Sequence, residues 1–510
     1  MGIQRYSASI DTTISNAYQM NLRTRATGSN MGLADTLEVF SIYGQESSAS
    51  SELSRILIQF PVDVISSDRS AGNIPVSGSA SFFLKMYNAE HTHTLPKDFK
   101  LTIAALTQSW EEGYGLDMDE YKDLTYSGFG SNWIQATSGT PPATASSNWI
   151  TTGGDFHSDV SSSFTASFED GTENICVDIT TLVEQWLNST GNVLGQKPNY
   201  GVIIKFPDAQ EAEKRSYYTK KFFARHSEYV LKRPSIEARW DSSKRDSAGD
   251  FYLSSSLATG DENLNTIYLY NNIRGRLRNI PIVEDGANDI LVSIYSGSKD
   301  NSVPDSGSKY SLPIGGGVVA NNDVNVTGGY VSTGIYSASF AYTGSATTIF
   351  PVWHNISLGQ ETKVEFHTAS AITVKTFDSV DYNPHPEYVT NIVNLRDTYH
   401  RDEKSTRFRL YIREKDWNPN IYDRATSDIP TAIVEDAHYR IYRTVDEFEV
   451  VSYGTGSTEH TKLSYDTSGS YFDFPMEILE AGYMYAIRFI YKMPDGNYRE
   501  QPEIFKFRVD

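Results

Sequence analysis

Arg407-Phe408-Arg409-Leu410-Tyr411-Ile412-Arg413 alternates apolar and charged residues with a period of two, so that Phe408, Leu410 and Ile412 fall on one side of an extended chain and three arginines on the other. Successive side chains of a strand point to opposite faces, and this run therefore predicts a half-buried antiparallel strand. Phe505-Lys506-Phe507-Arg508-Val509 repeats the pattern at the terminus. Between the Ile487-to-Tyr491 run and that terminal run lies Pro494-Asp495-Gly496-Asn497, a turn sequence with glycine where a hairpin needs positive φ.

The rest of the chain extends this reading. At one domain per roughly 100–200 residues, 510 residues call for three or four cores. The chain carries 33 Tyr and 24 Phe against 8 Met and is dense in Ser, Thr and Gly, a balance suited to pleated, half-buried surfaces. The expected class is all-β: about three β-sandwiches in a row. One segment departs from it. Ile179, Leu182, Val183, Trp186 and Leu187 recur at helical spacing, with Asp178 or Thr180 as N-cap and Gly191 beyond the end, and predict a single short helix over a sandwich edge.

Polar, turn-rich stretches at 241–249 and 381–387 suggest boundaries and give domains of about 1–242, 243–383 and 384–510. Within the first, 113–154 is long and rich in Gly, Ser, Thr and Pro, and reads as extended loops over the sandwich.

Net charge is −20, and the basic residues are scattered without a Lys/Arg run, so no nucleic-acid partner is expected. No signal-type leader and no stretch of ~18 apolar residues is present, which predicts neither Sec-dependent secretion nor a membrane span. The single Cys176 leaves no intrachain disulfide and reads as a core thiol.

Several constellations invite a chemical reading. Asp117, Asp119, Glu120 and Asp123 gather hard oxygen ligands that would suit a calcium ion, although the spacing matches no EF-hand and a solvated acidic loop is the preferred reading. His91-Thr92-His93 would put two imidazoles on one strand face, or lie at a polar loop tip. Trp110, Trp133 and Trp149 would stack on sugar rings if exposed side by side, and would otherwise be core. Arg274, Arg276 and Arg278 alternate outward on a strand-like run, either as a solvated face or as a contact for an acidic patch of a neighbouring subunit. No phosphate-binding loop, nucleophile elbow or zinc-protease motif occurs, and a non-enzymatic chain is expected.

An ordered set of segments carries a resemblance. These are 54–60 (SRILIQF), 79–84 (SASFFL), 108–113 (QSWEEG), 177–187 (VDITTLVEQWL) and 199–205 (NYGVIIK), closed by 221–225 (KFFAR) and 234–240 (PSIEARW). Together they resemble DNRLRE-type domains, which are carbohydrate-binding-module-like jelly rolls. Gly334-Ile335-Tyr336-Ser337-Ala338-Ser339-Phe340 is similar to a strand of immunoglobulin-like domains. The region from Asp416-Trp417-Asn418-Pro419 to Gln501-Pro502-Glu503 is similar to the C-terminal part of virion structural proteins of T4-like marine tailed phages. The resemblance implies an N-terminal jelly roll followed by two immunoglobulin-like sandwiches, a collar, neck, fibre or decoration component of a virion assembled in the host cytoplasm. Its implied partners are other virion proteins and copies of itself, with host surface glycans as the alternative.

Overall fold

The computed structural model describes residues 2–19, 21–43, 51–90, 96–116, 129–138, 146–187, 195–213, 216–281, 283, 290–296, 318–320, 323–355, 364–376, 383, 385–417, 421 and 431–510. The chain is an all-β, multi-domain sandwich protein.

Two antiparallel sheets build the first unit. One runs Ile3–Ser7, Ser235–Arg239, Ser81–Met86, Ile175–Asp178. The other runs Ser216–Phe223, Thr36–Tyr43, Glu52–Gln59, Val202–Lys205, Phe99–Ala105, Ser163–Phe168, with Ile10–Ser15 also pairing to Glu52–Gln59. In Ser81–Met86 the alternation is strict: Phe82, Leu84 and Met86 point inward onto Ile56 and Ile58 of the facing sheet. Glu52–Gln59 is buried on both sides, because Leu57 faces a second apolar cluster on the outer surface of its sheet. A strand covered on both faces reads as a continuous apolar run, and 56–58 is Ile-Leu-Ile.

Among the described residues there are three short α-helices, all in the first unit: α1 Val62–Ser70, α2 Thr180–Leu187 and α3 Asp208–Glu211. The expected helix is α2; its N-cap is Ile179, whose carbonyl accepts the first helical bond, and neither Asp178 nor Thr180 fills that position, although Asp178, one residue earlier, accepts the Thr180 backbone N–H at 2.9 Å. α1 was not legible: only Val62 and Ile65 are buried, too few for an apolar stripe. Arg69 of α1 clamps Glu184 of α2 with contacts of 2.9 and 2.6 Å.

The second unit packs Asn265–Tyr270, Ile335–Phe340 and Gly329–Ser332 against a larger sheet that includes Thr348–Asn355, Leu291–Tyr295 and Ile372–Lys375. Tyr336, Ala338 and Phe340 enter its core, as the period-2 pattern there requires. In the third unit, Thr406–Glu414 and Gly469–Phe474 face Ala437–Arg443, Met484–Lys492 and Phe505–Val509. Phe408, Leu410 and Ile412 are buried, and Phe507 and Val509 join them in one core. The strand Met484–Lys492 returns through Gly496 at φ 84° to Tyr498–Glu500.

The sandwiches are not strung in a row. Ile3, at the very start of the chain, belongs to the core of the third unit, and Leu231 packs against the same cluster. Tyr87 of the first unit meets Phe448 of the third with ring centroids 5.2 Å apart. The linker after the first unit is bound to the third as well, through Asp246 N–H to Tyr465 O and Tyr465 N–H to Lys244 O, both 3.0 Å. No helix among the described residues is long and apolar enough to cross a membrane.

Candidate docking surfaces

The three tryptophans do not form an exposed platform. Trp110, Trp133 and Trp149 are 6%, 7% and 4% exposed and pack with Ile14, Leu57, Leu106 and Ile203 on the outer face of the larger sheet. The physical reason is that residues 129–138 and 146–154 lie over that face and are anchored to it by apolar side chains. Indole N–H groups buried this way require acceptors. Trp110 Nε1 donates to Tyr200 O and Trp149 Nε1 to Asn132 O, each at 2.9 Å. Trp133 sits with the Arg55 guanidinium 5.1 Å from its ring centroid. Its edge closes on Gly153, where a Cβ would lie 2.8 Å from the ring at φ 92°. Sugar stacking by these three side chains is therefore excluded by burial.

The ionic groups of the first unit are likewise committed to holding it together. Arg225 grips both oxygens of Glu112 at 2.6 and 2.9 Å, and Glu112 also accepts the Asp11 backbone N–H at 2.9 Å. Burial pushes the Asp11 carboxyl up to about 7; the Arg225 backbone N–H opposes the rise and the neighbouring Glu112 adds to it. A carboxyl titrating near neutrality is a common acid-base group. Asp11 is only 1% exposed, however, which leaves its carboxyl no route to a substrate. The adjacent Glu111-Glu112 pair thus has one member, Glu112, in a clamp that pins the 108–113 segment to the edge of the sheet.

A second network lies where the first unit meets the third. Glu237, 1% exposed, is held by Arg5 at 2.6 Å, Arg239 at 2.7 Å and Lys85 at 3.6 Å. Burial alone would raise its carboxyl, but the three cations hold it well below the usual carboxylate range. Arg5 also donates to Val450 O across the junction. Clefts of about 360 and 420 Å³ flank the N-terminal strand there, bordered by Arg233, Arg401 and Glu480 on one side and Asp68, Lys404 and Asp473 on the other. Sequence reading missed this junction. The available signal was in Ile3-Gln4-Arg5-Tyr6, whose two apolar residues are three apart and so cannot share one face: Ile3 enters the third core and Tyr6 the first.

Arg274, Arg276 and Arg278 are exposed, but not on one continuous strand. Asn272–Ile273 and Arg276–Leu277 form a tight hairpin, turned by Arg274 at φ 52° and Gly275 at φ 74°. Positive φ at both central residues matches the twist of the flanking strands. The hairpin presents its arginines together with Ile273 and Leu277, which are 42% and 39% exposed. Among the described residues none of the three guanidiniums is in an ion pair, and the hairpin is a cationic projection on an acidic chain.

Cys176 is exposed rather than a core thiol. Its strand mates explain this: Ile175 points inward, so Cys176 points out, with Arg239 Nη2 at 3.8 Å from its sulfur. Asp117, Asp119, Glu120 and Asp123, and His91 and His93, lie outside the described residues. Among the described residues no group of three or more His, Cys, Asp or Glu is placed to hold a metal ion.

No protein-family model and no curated protein matches the chain. An alignment with the cryo-EM structure of the native conformation of E. coli alpha-2-macroglobulin covers 99% of this chain and 26% of that chain, at 8% identity and a TM-score of 0.15. The chain thus spans about a quarter of that protein's length, and a likeness this low carries no argument about fold or role.

Proposed function

We propose that this chain is a non-enzymatic structural protein of a tailed-phage virion, a collar, neck, fibre or decoration component that works by docking to other virion proteins and to copies of itself. The observation that carries the reading is where the reactive side chains go. The tryptophans, the Glu112–Arg225 clamp and the Glu237 network are all spent on fixing loops and sandwiches to one another, while the Arg274–Arg278 hairpin is left facing outward. A scaffold of β-sandwiches with charged projections suits repeated surface contacts, where copy number multiplies modest affinities. The resemblance of the first unit to DNRLRE-type domains and of the last to phage virion proteins supports the same reading.

The glycan-binding adhesin is the weaker alternative, because the three side chains that motivated it are inside. The test is immunogold electron microscopy of intact particles of the phage that encodes the chain, with antibody raised against the whole protein. Gold at a fixed location on the particles is the expected result. Unlabelled particles, with the antibody binding only free protein in the lysate, would overturn the proposal.

A further inference from the structure

A ladder of rings and cations crosses the seam between the first and third units. Lys232 of the first unit has its ammonium 5.3 Å from the Tyr229 ring centroid and 5.8 Å from that of Phe448 in the third. The Arg443 guanidinium continues the series, 5.6 Å from Phe448 and 4.6 Å from Tyr483. Cations over ring faces hold such a series together. Its outer side is uncovered: Tyr229, Tyr483, Met484 and Val445 are 48%, 40%, 49% and 74% exposed. Met484 and Val445 are neighbours, because the Thr444 N–H donates to Met484 O at 2.9 Å. Tyr, Met and Arg exposed together are the composition of interface cores rather than of plain surface.

Charge decides what covers this patch. Arg443 is neutralised by Asp446 at 2.7 Å and Glu480 at 2.6 Å. Glu228 accepts from the Tyr229 hydroxyl, and Glu90 lies within electrostatic reach of the same hydroxyl, as does Tyr483. Glu447 adjoins Phe448 in a turn at φ 53°. All three glutamates are exposed, and none makes an ion pair among the described residues. Exposed tyrosine faces, aliphatic side chains and free carboxylates ask for a partner that brings guanidiniums and aliphatic side chains together. The 272–277 hairpin is such an element: Ile273 and Leu277 are exposed on it, the three arginines are free of ion pairs, and no acidic residue occurs between Asn263 and Val283. Its base is braced, with Asn271 N–H donating to Gly334 O at 2.8 Å and Asn271 Nδ2 to Arg278 O at 2.6 Å, so little ordering is left to be done on contact.

We propose that the 272–277 hairpin of one copy docks on the Tyr229–Tyr483 patch of a second copy of this chain, its aliphatic side chains against Val445 and Met484 and its guanidiniums over the tyrosine rings and the free glutamates. The two surfaces differ, so the contact is heterologous and passes from copy to copy, closing as a ring or growing as a filament. The inference rests on the proposed docking between copies and names its two surfaces.

Sedimentation velocity of the purified full chain tests it. Assemblies larger than one chain are expected to form as concentration rises, and to dissociate as salt shortens the Debye length from about 10 Å at 0.1 M to about 3 Å at 1 M. Arg276→Glu and Glu447→Arg are each expected to sediment as monomers, and their equimolar mixture to associate again, since one variant keeps its patch and the other its hairpin. A chain monomeric at every concentration, assembly that survives either substitution, or folded variants that do not associate when mixed would overturn the proposal. Should a variant fail to fold, hydrogen exchange of the unsubstituted chain decides: amides of 271–278 and 444–448 are expected to exchange more slowly in the assembled than in the dissociated chain, and equal rates would overturn the proposal. A monomeric chain that still labels particles with immunogold would remove this contact and leave the virion role in place.

Discussion

Replacing Trp133 by alanine separates a core role from a surface one. The side chain is 7% exposed and fills the space between the outer face of the larger sheet and the segment around Gly153. A buried indole removes roughly 150–250 Å² from water, which at roughly 25 cal/mol per Å² corresponds to about 4–6 kcal/mol as an upper figure. Trp→Ala changes in cores typically cost about 3–5 kcal/mol. Arg55 would lose its aromatic partner but keep Gly153 O at 2.7 Å and Glu211 at 2.6 Å, so it is not stranded. The expected cost is therefore about 4 kcal/mol, localised to the first unit. Hydrogen exchange followed by mass spectrometry reads it directly: amides of the 146–156 segment, among them Trp149 N–H to Ile134 O, should exchange about a thousandfold faster. Unchanged protection in Trp133→Ala, together with loss of binding on a glycan array, would refute the reasoning and return the indole to the surface.

Four further outcomes follow from the same contacts. Glu237→Gln leaves Arg5, Lys85 and Arg239 without their shared anion; a loss of about 3 kcal/mol is expected in denaturant titration, and a loss below about 0.5 kcal/mol would show that water already screens the site. His460 is held at about 4 against an ordinary 6.5. Above pH 6.5 its contribution is constant, and as pH falls from 6.5 towards 4 the unfolded chain takes the proton first, so up to about 3 kcal/mol of stability is lost. The stability advantage of the native chain over His460→Gln should shrink across that window, and an advantage independent of pH would contradict the burial of the ring. Asp11 runs the other way: its carboxyl, raised to about 7, loses stability as pH climbs from about 4 through 7, so Asp11→Asn, which keeps an acceptor for the Arg225 N–H, should be more stable than the native chain at pH 8 and not at pH 4. In the hairpin, Gly275→Ala meets no atom within 4 Å yet must adopt φ 74°; a loss of about 1 kcal/mol from backbone strain alone is expected by calorimetry, whereas Arg274→Asn should be neutral or slightly stabilising.

Local periodicity made the strands legible and tertiary context hid the rest. Phe408, Leu410 and Ile412 could be assigned to a core face because one side of their strand is solvated, and the α2 helix could be placed because its apolar spacing is a local pattern. The tryptophans were ambiguous for the opposite reason: a strand or loop residue facing solvent and one facing a covering segment carry the same pattern. Only the placement of residues 129–138 and 146–154 over Leu57 and Ile203 decides between them. Cys176 was readable in principle, since Ile175 fixes the parity of its strand. The Arg274–Arg278 stretch misleads because its alternation is that of a strand, whereas Arg274 and Gly275 both adopt positive φ and turn the chain. The junction between the first and third units was least visible, being made by partners hundreds of positions apart, such as Arg5 with Val450.

A structural component of a virion is carried in a fixed number of copies, so the amount of this chain per particle is the measurement that tests the proposed role. Quantitative mass spectrometry of density-banded particles is predicted to find it in a fixed multiple of copies relative to the major capsid protein, unchanged by washing in high salt. Recovery only from the soluble lysate, with no chain in banded particles, would show that it is not a virion component.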